Sequence, residues 1–80
     1  MAIRRRVSKT ELDEFARQAG DNIATLLTDF GDWSAIAWVD GKAYLLETEA
    51  LNPEGPGYIT QVTEEQSKEM IHTDYRTFIF

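Results

Sequence analysis

Asp40-Gly41 stands between two apolar runs, Trp33–Val39 and Lys42–Thr48. A two-residue Asp-Gly loop suits a type I′ turn, in which both central residues need positive φ. Such a loop leaves one register: Val39 opposite Lys42, Ala37 opposite Tyr44, and Ala35 opposite Leu46. Side chains alternate across a strand, so the register also assigns the faces. Trp33, Ala35, Ala37, Val39, Tyr44 and Leu46 share one face, and Ile36, Trp38, Ala43 and Leu45 share the other. Both faces are apolar near the turn, so the rest of the chain must be arranged around a hairpin that is greasy on two sides.

The segments before the hairpin read as helices. Ser8-Lys9-Thr10-Glu11 has the form of a capping box, with Val7 and Leu12 at the staple positions. Leu12, Phe15, Ala16 and Ala19 then recur at i, i+3, i+4 and i+7, and Gly20 supplies a left-handed stop, which predicts a helix over 9–19. Asp21 can cap a second, shorter helix, in which Ile23, Leu26, Leu27 and Phe30 repeat the spacing up to Gly31.

After the hairpin, Glu49–Gly57 holds both prolines and two glycines and reads as an irregular loop. Tyr58–Val62 reads as a strand. Thr63-Glu64-Glu65-Gln66 is a second capping box, opening a short helix to about His72 whose apolar stripe is only Met70 and Ile71. Tyr75–Phe80 alternates as a terminal strand. The predicted fold class is α+β: two N-terminal helices packed on one face of a 3–4-stranded antiparallel sheet, with a short helix before the last strand. Residues 1–8 form a basic arm or short strand, and 9–80 a single domain with Phe15, Ile23, Leu27, Phe30 and Leu46 in its core.

Charge is unevenly divided. Arg4, Arg5, Arg6 and Lys9 are half of the eight basic residues, and all lie in the first ten positions. The other seventy positions carry four basic and fourteen acidic side chains. No apolar run follows the arginines, so they do not begin a secretory signal, and no run is long enough to cross a bilayer. With no cysteine, disulfides and thiolate zinc sites are excluded, which fits a cytoplasmic location.

Residues with chemical potential read more simply as structure. His72, with Asp74 two residues on, has the types of a base and its orienter, but no serine or cysteine nucleophile motif accompanies them. A histidine near a helix C-terminus complements the dipole. Glu47, Glu49, Glu54, Glu64, Glu65 and Glu69 lack the spacing of a calcium loop and read as a solvated face. Gly55-Pro56-Gly57 lacks the lysine and hydroxyl residue of a phosphate loop and reads as a turn.

These readings predict a non-enzymatic interaction protein without cofactor or metal. The expected partner is a protein with a basic surface, and the expected effect is modulation, chiefly inhibition. In size and charge the chain is similar to phage- or plasmid-encoded inhibitors of nucleic-acid-handling complexes, anti-CRISPR proteins among them. If the helices cover the Ala35/Ala37 face of the hairpin, the opposite face presents Ile36, Trp38 and Leu45 with Glu47 at its margin as the partner surface. The structural alternative is that the 49–57 loop or the last helix lies over that patch. A second function is a small dimeric DNA-binding regulator using Arg4, Arg5, Arg6 and Lys9. The acidic body disfavours nucleic acid. A third is an antitoxin or immunity protein with one cognate toxin.

Overall fold

A computed structural model describes residues 3–26, 34–49 and 52–72. Their elements, in chain order, are β1 (Arg4–Val7), α1 (Lys9–Ala19), β2 (Ile23–Thr25), β3 (Ser34–Val39), β4 (Lys42–Glu49), β5 (Asn52–Val62) and α2 (Glu64–His72). The strands form one antiparallel sheet in the order β1-β5-β4-β3-β2.

The β3–β4 hairpin is the centre of this arrangement, and its register is the one its turn dictates. Val39 faces Lys42, Ala37 faces Tyr44 and Ala35 faces Leu46. Asp40 and Gly41 have φ of 53° and 76°, as a type I′ turn requires.

α1 forms where its capping signals place it. Ser8 Oγ accepts from the Glu11 amide at 3.2 Å, while the Glu11 carboxylate turns to Arg5 rather than closing the box. Val7 and Leu12 are buried together as a staple. At the other end Gly20 has φ 59° and donates to the Arg17 carbonyl, ending the helix. α2 opens with a complete box. The Thr63 amide donates to Gln66 Oε1 at 2.9 Å, and the Gln66 amide donates to Thr63 Oγ1 at 3.0 Å.

The predicted architecture is corrected in four respects. Among the described residues a single helix precedes the hairpin, because residues 23–25 are a strand. β2 pairs with β3, Ile23 opposite Ala37 and Thr25 opposite Ala35, and the pairing is extended by bonds from the Trp38 amide to the Asn22 carbonyl and from the Leu26 amide to the Ser34 carbonyl. A second short helix would have satisfied its own amides but left this edge of β3 unpaired. The helical spacing still finds a use, since Ile23 packs on one face of the sheet and Leu26 on the other.

Among the described residues the sheet also has five strands rather than three or four. Arg4–Val7 joins it by pairing with Thr60–Gly57, and the region read as a loop contributes the start of β5. Both prolines fall where the ladder skips. Thr48 faces Gly57 while Glu49 faces Asn52, so residues 53–56 have no opposite number on β4.

Among the described residues α1 and α2 lie on opposite faces, so in place of two N-terminal helices on one face there is α1 alone, and the last helix lies over the Ile36/Trp38/Leu45 patch, as in the structural alternative. α1 packs with Val7, Ala37, Leu46 and Ile59. α2 lays Met70 on Ile36, Ala43, Leu45 and Val62. Ser67, fully buried, bonds back to the Glu64 carbonyl at 2.7 Å. Its small side chain fills the α2 side of the interface one turn before Met70. The described residues therefore form three layers, α/sheet/α. Of the predicted core, Leu46 is fully buried and Phe15 and Ile23 are half-buried, while Leu27 and Phe30 lie outside the described residues, as does the predicted strand 75–80.

Candidate functional site

The face proposed for a partner is occupied from within. Ile36 is 0% exposed and Leu45 1%, both beneath Met70 and beside Leu26. Trp38 belongs to the same face and packs on that cluster half-buried. The two-sided hairpin thus receives one helix on each side. On the second side the nine-residue α2 buries the Ile36 and Leu45 face, and its box satisfies part of its first turn.

Glu47 shares this face and is 4% exposed. Its carboxylate receives two bonds from Arg4, Nε to Oε1 at 3.2 Å and Nη2 to Oε2 at 3.4 Å. The same guanidinium lies 3.8 Å over the Tyr58 ring centroid. Burial pushes the Glu47 carboxyl above the usual carboxylate value, and Arg4 offsets only part of that shift. Adjacent strands bring these residues together: Glu47 faces Tyr58, and Arg4 sits opposite Thr60 one pleat along.

Each of the N-terminal cations has a partner. Arg4 is held by Glu47, Arg5 Nη1 lies 3.4 Å from Glu11 Oε2, and Lys9 Nζ lies 2.8 Å from Asp13 Oδ1. Arg6, also engaged, is exposed on the outer strand. The segment read as a basic arm is thus folded onto the acidic body.

The open concavity is on the other face, and sequence reasoning missed it. A helix is about 10 Å across, whereas five strands at about 4.8 Å spacing span roughly 20 Å. Among the described residues α1 is the helix on this face, and it does not roof the whole of it. Beside it lies a groove of about 710 Å³, running from the start of β1 to the first turn of α2. Phe15 and Tyr44 form its floor with an edge-to-face contact, centroids 4.7 Å apart. Ile59 continues the floor, Gln61 and Arg5 border it, Val62 and Thr63 close its end toward α2, and Ile3, 81% exposed, stands at its rim. A second hollow of about 330 Å³ adjoins it and shares Arg5, Phe15 and Ile59, with Glu11 and Glu14 on its α1 side. The signal for this groove was present in the register that groups Tyr44 with Leu46. It needed the knowledge that, among the described residues, one helix covers that face.

Among the described residues no three His, Asp or Glu side chains converge as a metal site, and no helix is long and apolar enough to cross a membrane. The His72 side chain and Asp74 lie outside the described residues. Comparison of the chain with family models, with curated proteins and with solved structures found no match.

Proposed function

We propose that this chain is a small non-enzymatic interaction protein that binds a protein with a basic surface and modulates it, chiefly by inhibition. The observation that carries this reading is the disposition of charge. Arg4, Arg5 and Lys9 are drawn into ion pairs with the body, whereas Asp21, Asp40, Glu54, Glu64 and Glu65 are all exposed. A molecule with a net charge of −6 and its N-terminal cations engaged steers toward cationic surfaces. A nucleic-acid-handling protein is a natural target, because the surface it presents to phosphate is basic. An inhibitor of phage or plasmid origin and an antitoxin share this logic and differ in the identity of the target.

Affinity capture from the native host with mass spectrometry tests the reading. The expected result is a protein with a basic surface, in a complex that weakens as salt rises. A partner whose binding is indifferent to salt would overturn it. The DNA-binding alternative predicts a duplex shift that persists at about 0.15 M salt and is lost on replacing Arg4, Arg5 and Arg6 together.

A further inference from the structure

The groove beside α1 combines an apolar floor with an acidic margin. Phe15, Tyr44 and Ile59 form a floor large enough for one bulky side chain, and the edge-to-face pair offers ring surface to an aliphatic or aromatic guest. Glu11 and Glu14 border the adjoining hollow. At the far end Glu64 and Glu65 occupy the first turn of α2, between Thr63 and Gln66, which both line the groove. Arg5 is the charged residue of the groove's own lining, and Arg5 with Glu11 and Arg17 with Glu14 form exposed pairs along α1. Exposed pairs are worth little in water, so Glu11 and Glu14 can exchange their present partners for an incoming cation at small cost.

We infer that this trough is the docking site for a basic, extended segment of the partner protein, which inserts one apolar side chain against Phe15, Tyr44 and Ile59 and sets its cations toward Glu11 and Glu14. The inference rests on the interaction reading above and adds the place and the chemistry of contact. Arg5 stands at the junction of the two hollows and repels a cation placed over the floor, so it separates the site for the anchor from the site for the charge. Ile3 at the rim lengthens the apolar wall that the anchor meets.

The test uses the full chain, labelled with ¹⁵N, and three probe peptides: Lys-Lys-Trp-Lys-Lys, Glu-Glu-Trp-Glu-Glu and Lys-Lys-Gly-Lys-Lys. The first is expected to move the amide signals of Phe15, Tyr44, Ile59 and Gln61, and the other two to leave them in place. Gln61→Arg adds a cation in the mouth of the groove at an exposed position. It is expected to weaken the first peptide by about tenfold without moving the thermal midpoint. A response of the groove to the acidic peptide overturns the assigned chemistry. Signals that move only on the outer face of α2, at Glu65, Lys68 and Glu69, overturn the groove while leaving the interaction reading standing. No response to any probe, alongside a salt-sensitive complex with a captured basic protein, also removes the groove alone. A partner that is not basic removes both.

Discussion

The Arg4 guanidinium clasps the Glu47 carboxylate across β5, with Nε 3.2 Å from Oε1 and Nη2 3.4 Å from Oε2. Glu47 is almost wholly buried, while the Arg4 side chain keeps a third of its surface. The pair fastens the edge strand β1 to a carboxylate two strands away.

Arg4→Ala is therefore expected to destabilise the protein by about 2–3 kcal/mol, toward the low end for breaking a buried pair because one partner reaches water. Arg4→Lys should recover only part of this, since an ammonium provides neither the two-bond fork nor the planar stack on Tyr58. Urea unfolding of the three proteins gives the comparison, and an alanine variant as stable as the parent would refute the clasp.

The same site has a signature in pH. The Glu47 carboxyl titrates above its unfolded value because burial outweighs Arg4. The folded state then binds the proton more tightly than the unfolded state. The resulting stability is fully present below the unfolded carboxylate value of 4.5 and is lost as pH rises through the raised folded value. Wild type should therefore gain stability relative to Glu47→Gln as pH falls through that window. A relative loss in denaturation series run at matched pH values contradicts the sign.

Gly57 lies on β5 between Val7 of β1 and Thr48 of β4. A Cβ there would run into the Glu47 carbonyl oxygen and stand 3.0 Å from Leu12 Cδ2. With a paired strand on each side, the backbone has no room to retreat. Gly57→Ala is expected to cost about 3 kcal/mol, the upper end of the range for overpacking. Circular-dichroism melting would show a large fall in midpoint, and an unchanged midpoint would mean that β5 is not gripped at this residue.

Leu12 and Phe15 lie on the same helix face with different surroundings. Leu12 is 1% exposed beneath α1, whereas Phe15 borders the groove half-buried. Leu12→Ala should cost about 3–4 kcal/mol, and Phe15→Ala less despite its larger side chain, because solvent already reaches the ring. Calorimetry that ranks them in the opposite order would show that the groove closes over Phe15 in solution.

Elements governed by neighbouring residues were legible in the sequence. The Asp40-Gly41 turn carries its own φ requirement and so determined the β3–β4 register without help. Ser8 and Thr63 offered hydroxyls to amides three residues on, and both helices begin there. Residues 23–25 show where that reading ends. Their helical spacing was real, but the exposed edge of β3 supplied hydrogen bonds that no local pattern announces. Likewise nothing in Arg4 names Glu47, forty-three residues away. The alternation of the hairpin determined that Ile36, Trp38 and Leu45 share a face. Which face each helix would cover depended on long-range packing, so only the tertiary structure decided that Met70 seals this face and that Phe15 and Tyr44 are left beside open space. The physical reason is range: turn and cap energies arise within four residues, whereas burial is apportioned among all the segments competing for the same surface.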